Sequence, residues 1–164
     1  MRGFSIVLGC IAGILLTQMS QAELGVPTAQ SVEIPKQAIE NAKAWLSFVD
    51  DGNADKSWDQ SSAYFQSRVS KDSWAATVKQ VRENFGHVIS RSFNKAELTN
   101  SLRDAPDSQY AILHFNIDAS RHGAKETVTM MIYGGTWQVA GFYISEPSGL
   151  RHVPGVGALP MHWN

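Results

Sequence analysis

Residues 126–145 read ETVTMMIYGGTWQVAGFYIS, and this stretch decides the fold. Its two halves are rich in Thr, Val, Ile, Met and aromatic residues. Gly134-Gly135 sits between them, two residues that tolerate the positive φ angles of a tight hairpin turn. The expected strands are Glu126 to Tyr133 and Thr136 to Ser145, the second with Trp137, Val139, Gly141 and Tyr143 alternating along one face. Upstream the period of two persists. Gln109 to Asp118 places Leu113, Phe115 and Ile117 on one face and Ile112 and His114 on the other, and His87 to Glu97 places Ile89, Arg91 and Phe93 together. The loop LTNSLRDAPDS joins those two, so the four strands follow one another as an antiparallel meander.

Before Gly86 the period is that of a helix. Ala38, Ile39, Ala42, Trp45, Leu46 and Val49 recur at three- and four-residue steps after Pro35, and Asp51-Gly52-Asn53 ends the run. A second helix is expected from Ala54 to Arg68, with Trp58, Ser62, Phe65 and Val69 on its stripe and Ser62 bonding a carbonyl one turn back. A third runs from Lys71 to Phe85, capped by Ser70 and closed by Gly86, with Trp74, Val78, Val81 and Phe85 inward and Arg82 at the border of the apolar face. Three N-terminal helices packed on a four-stranded antiparallel sheet make an α+β fold.

The ends read differently. Residues 1–22, MRGFSIVLGCIAGILLTQMSQA, combine Arg2, an apolar run from Phe4 to Leu16 and small residues at Ser20 and Ala22, which predicts a signal peptide cleaved after Ala22. The apolar run is short for a membrane span of about 20 residues. Val7-Leu8-Gly9-Cys10 has the look of a lipoprotein signal, but Ile11 to Leu16 continue the apolar run past Cys10, so lipidation is not expected. Residues 23–33 are expected as a linker, 34–145 as one domain, and 146–164 as a Pro/Gly-rich tail ending in His162-Trp163-Asn164. Cleavage removes the one cysteine of the 164 residues, leaving no thiol chemistry and no disulfide in an exported chain. The whole chain has 14 basic and 15 acidic groups, a balance that offers no basic stripe for nucleic acid.

The segments Ala44-Trp45-Leu46, Val49-Asp50-Asp51-Gly52, Ser57-Trp58, Phe65, Ser73-Trp74, Val81-Arg82, Ser90-Arg91, Glu126-Thr127-Val128-Thr129 and Trp137 to Ile144 resemble the bacterial domain-of-unknown-function family numbered 4019, over Lys36 to Ser145. Two places depart from the family pattern. Leu102 to Asp107 stands where the family has a Pro-Gly turn, and Gly134-Gly135 where it has Asp-Gly. The resemblance implies an exported bacterial protein and a curved-sheet fold of the cystatin-like or nuclear-transport-factor-2-like kind. It implies no mechanism.

Arg91 is the residue most out of place, because it shares a strand face with Ile89 and Phe93. A guanidinium held near a core needs a partner, and Glu126, Asp50 or an anionic ligand are the candidates. Arg82, on a facing helix, would add a second donor to an anion site. Trp45, Trp58, Trp74 and Trp137 are expected as core anchors or as the wall of a pocket, with Tyr64, Phe142 or Tyr143 near its mouth. His87, His114, His122, His152 and His162 show no metal-ligand spacing, although His87 and His114 could meet across strands, and no metal or cofactor is expected. Ser61-Ser62 lack a neighbouring base and no G-x-S-x-G elbow occurs, so no catalytic residue is assigned. The expected function is a non-catalytic binding or interaction domain of the bacterial cell envelope, receiving a small molecule or an envelope protein, with a homodimer as one form. The alternative is a small acid/base hydrolase or isomerase that draws on Asp59, Asp118 or Tyr64 in a pocket.

Overall fold

Helix α1 (Lys36–Asp50) turns Ala38, Ala42, Trp45, Leu46 and Val49 inward, the helical stripe that its sequence encodes. It ends where Gly52 takes φ 72° and the backbone closes on itself through Asn53 N–H donating to Phe48 O at 2.8 Å. This is a computed structural model, and it describes residues 35–146. The expected signal peptide, the linker, the tail beyond Glu146, and with them Cys10, His152, His162 and Trp163, lie outside the described residues.

The segment expected as one helix from Ala54 to Arg68 is two. Helix α2 (Ala54–Asp59) is capped by the Asn53 side chain, and helix α3 (Ala63–Arg68) by Ser62, whose Oγ accepts from Phe65 N–H at 3.2 Å. Among the described residues four helices therefore precede the sheet rather than three. The break has a physical cause: Ser61 bridges to Val139 and Ser62 N–H donates to Val139 O at 2.9 Å, so the backbone leaves the helix to pair with the sheet edge. Ser62 is thus a cap, and the carbonyl one turn back is bonded by Ser61, whose Oγ donates to Ser57 O at 2.8 Å. Helix α4 (Lys71–Phe85) begins at Ser70 as its N-cap and buries Trp74, Thr77, Val78, Val81 and Phe85.

Strands β1 (Val88–Thr99), β2 (Tyr110–Ala119), β3 (Ala124–Tyr133) and β4 (Thr136–Ser145) form one antiparallel sheet in the order β1-β2-β3-β4. One face carries Leu113, Phe115, Val128, Val139, Phe142 and Ile144 into the main core against α1 and α4. Besides a shift between Phe93 and Lys95 that brings Ala96 and Leu98 onto the core, two irregularities reset the alternation. A bulge between Val88 and Ser90 takes Ile89 off the core face, where it is 63% exposed, and Val88 packs on the core instead. A second, opposite Thr129/Met130, inserts Ala140, so that after Val139 it is Phe142 and Ile144, not Gly141 and Tyr143, that face the helices. Among the described residues no helix is long and apolar enough to cross a membrane.

Candidate functional site

Arg91 stands on the core face of β1, opposite Ile117 of β2. Its Nη1 and Nη2 donate to both oxygens of Asp50, at the end of α1, at 2.7 and 2.8 Å. Its Nε and Nη2 donate to Glu126, on β3, at 2.7 and 3.2 Å. The guanidinium therefore reaches across β2 and ties helix to sheet, with the Arg91 side chain 13% and the Glu126 side chain 3% exposed. Burial works against the Arg91 cation, but its hydrogen bonds to Asp50 and Glu126, and their charges, outweigh that and raise its pKa. Burial pushes the Glu126 carboxyl above the ordinary carboxylate range, opposed by the hydrogen bond and charge of Arg91. Two carboxylates share one cation, and all three guanidinium nitrogens are engaged.

Arg82 is not a member of this triad, whose bonds run between Arg91, Asp50 and Glu126. Its stem lies along the turn that ends α1, so close that a Cβ on Gly52 would stand 3.3 Å from both Cδ and Nε. The C-terminal end of a helix is negative, which favours a guanidinium there. Among the described residues its Nη1 is buried without a hydrogen-bond partner.

The tryptophans fill the space between the layers. Trp45 and Trp74 are 5.5 Å apart between ring centroids, each packs on Phe65 and Phe142, and both are buried. Two serines that sequence periodicity does not single out satisfy their indoles. Trp45 Nε1 donates to Ser57 O at 2.7 Å and to Ser61 Oγ at 3.0 Å, and Trp74 Nε1 donates to Ser57 Oγ at 2.7 Å. Trp58 is half-buried, donates to Val69 O at 2.8 Å and lies beneath the Lys71 ammonium. Trp137 packs in the main core.

The acid/base candidates are dispersed. Asp59 pairs with Lys71 at 2.7 Å on the surface, Asp118 is exposed on β2, and Tyr64 donates to the carbonyl of Asp104 at 3.0 Å. His87 and His114 do not meet, because His87 lies beside Ser120 whereas Lys95 stands opposite His114. No group of three His, Cys, Asp or Glu side chains converges as a metal would require among the described residues.

The helix-free face of the sheet joins His114 and Tyr143, each named from the sequence separately, with Lys95 and Thr127, which the sequence did not single out. Lys95, His114, Thr127 and Tyr143 stand opposite one another in register across all four strands. His114 Nδ1 is 3.1 Å from Thr127 Oγ1 and its Nε2 3.8 Å from Glu97, which Lys95 holds below the usual carboxylate range through a hydrogen bond. Burial, then the Lys95 charge, lowers the His114 pKa against the opposing pull of Glu97. Alternation had put His114 on this face, but the row depends on register, which no single strand encodes. Beside it, Tyr110, Met131 and Ala140 form a second apolar cluster, against which Tyr64, Leu102 and Ala105 pack.

A family model described as "Protein of unknown function (DUF4019)" matches residues 41–142. No curated protein matches. Among solved structures, Bd1075 of Bdellovibrio bacteriovorus is similar at 10% identity with a TM-score of 0.44, over 66% of this chain and 40% of that one. The present chain thus spans well under two thirds of Bd1075.

Proposed function

Because this chain belongs to the DUF4019 family, which carries no assigned activity, we propose a role from its surfaces alone: an exported, non-catalytic binding or interaction domain of the bacterial cell envelope. The helices-then-sheet order is read as that of a cystatin-like or nuclear-transport-factor-2-like fold. The observation that carries the binding role is the asymmetry of the sheet. On its helix side Arg91 is saturated by Asp50 and Glu126. On the other side the row Lys95, His114, Thr127 and Tyr143 presents an ammonium, an imidazole, a hydroxyl and a phenol beside one another. Such a mixture of aromatic and adaptable polar groups suits contact with an envelope protein. An acid/base enzyme has less support, since the buried carboxylate Glu126 is already bound by a cation.

Site-specific photocrosslinking in the native envelope tests the role. A photoreactive residue replacing Tyr143 is expected to capture one discrete partner, and the same residue replacing exposed Lys43 on α1 none. Equal capture at both positions, or at Lys43 alone, would sink the assignment of this face. Export is tested by intact mass: a chain that begins at Glu23 supports it, and one that retains residues 1–22 overturns it.

A further inference from the structure

The β1–β2 connection does more than join two strands. Its Leu102 and Ala105 pack on Tyr110, Met131 and Ala140, so residues 100–109 lie over one end of the helix-free face. None of these ten residues is itself buried, whereas all three residues beneath are. The loop is held by few bonds. Tyr64, from α3, donates its hydroxyl to Asp104 O at 3.0 Å; Ser108 Oγ donates to Ile132 O at 2.9 Å; Tyr110 OH donates to Pro106 O; Ile132 N–H donates to Gln109 O at 3.1 Å; and Thr99 Oγ1 donates to Ser101 O at 3.0 Å. The first of these lands on the one described residue other than glycine with positive φ, Asp104 at 58°. A non-glycine residue in the left-handed region is held there by its surroundings. Here the surrounding that grips the main chain at that residue is the Tyr64 hydroxyl.

We propose that residues 100–109 form a strap that opens independently of the core, with the Tyr64–Asp104 bond as its latch, and that opening adds Tyr110, Met131 and Ala140 to the partner-binding face. The added surface is apolar, so the partner it admits carries an apolar side chain next to the polar contacts of the His114 row. A segment with no buried residue, tied by a few exposed or part-buried hydrogen bonds and anchored by the half-buried Leu102 and Ala105, belongs to the low-stability end of a fold and opens without global unfolding. The opening itself rests on the geometry of the loop; only its use for binding rests on the function proposed above.

Hydrogen exchange followed by mass spectrometry on the full mature chain separates the two. In Tyr64→Phe the amides of 100–109 are expected to exchange roughly 3- to 10-fold faster, the range set by losing one hydrogen bond, with β2 and β3 unchanged. In Asp104→Gly, which removes the penalty of positive φ while leaving the carbonyl acceptor, they are expected to exchange severalfold more slowly. Binding of an apolar dye rises in Tyr64→Phe and not in Asp104→Gly. Strap amides that exchange only together with β2 and β3, or a Tyr64→Phe strap indistinguishable from wild type, overturn the proposal. If the strap exchanges as expected but capture at position 143 is the same in Tyr64→Phe, the strap stands and its role in binding falls.

Discussion

Arg91 and Glu126 face each other across an intervening strand, 2.7 Å apart, with Asp50 closing the other side of the same guanidinium. This arrangement answers a problem that the sequence poses openly. Arg91 replaces an apolar residue on the core face of β1, and Glu126 does the same on β3, so each buried charge requires the other.

Removing the cation alone should therefore be costly. Arg91→Met is expected to destabilise the domain by about 3 to 5 kcal/mol at neutral pH, the range for breaking a buried ion pair from one side. Without Arg91, nothing opposes the upward push of burial on the Glu126 carboxyl, so its folded pKa rises further above the unfolded value of 4.5. The folded variant then binds a proton there more tightly than the unfolded chain, and its stability recovers as pH falls toward 4.5. Urea denaturation of both proteins at neutral and mildly acidic pH checks this. A deficit that is the same at both would show that Glu126 does not carry it.

Ser57 is fully buried and serves two tryptophans at once, its carbonyl accepting from Trp45 and its hydroxyl from Trp74. Ser57→Ala removes only the second acceptor and leaves the Trp74 indole N–H without one. The expected loss is about 1 to 3 kcal/mol, the cost of an unsatisfied buried donor. Trp74→Phe also loses packing, but in that background Ser57→Ala should cost much less. A double-mutant cycle by chemical denaturation measures the coupling, and additive effects would mean the bond contributes nothing.

What the sequence disclosed follows a physical line. Elements whose signal is local were legible: the α1 stripe, the Ser70 cap and Gly86 stop of α4, and the hairpin at Gly134-Gly135 all follow from residues within a few positions of one another. Partners of Arg91 were legible as a short list, because few carboxylates lay near a core face. What remained hidden depends on contacts distant in sequence. Ser61-Ser62 looks helical until Val139 competes for its backbone, and the bulges at Ile89 and Ala140 shift which residues face the core without leaving a mark in the hydrophobic pattern. The His114 row needs the register of all four strands, and the cluster of Tyr110, Met131 and Ala140 that of three.

Gly86 joins α4 to β1 with φ 81° and ψ −152°, a conformation nearly confined to glycine. A Cβ there would also lie 2.1 Å from Ser120 Oγ, the group that bonds His87 N–H. Gly86→Ala is expected to destabilise by more than about 2 kcal/mol, combining backbone strain with loss of that bond. Adding Ser120→Ala should recover only the smaller, steric part. Full recovery in the double variant, read from denaturation midpoints, would place the whole cost in the clash and none in the backbone.

His114 makes the helix-free face sensitive to pH. Burial and Lys95 lower its pKa below 6.5, while Glu97 opposes them and Thr127 offers Nδ1 a hydroxyl. The unfolded chain, with the ordinary value of 6.5, thus binds the proton more tightly than the folded one. Linkage then requires that the contribution of neutral His114 be fully present above pH 6.5 and fall away as pH drops through the lowered folded value. His114→Gln carries no proton to bind, so wild type should lose stability relative to it between pH 7 and pH 5. Denaturation curves for the two proteins across that interval give the difference directly. If it does not change with pH, the imidazole titrates alike in both states and its partners on β1 and β3 do not perturb it.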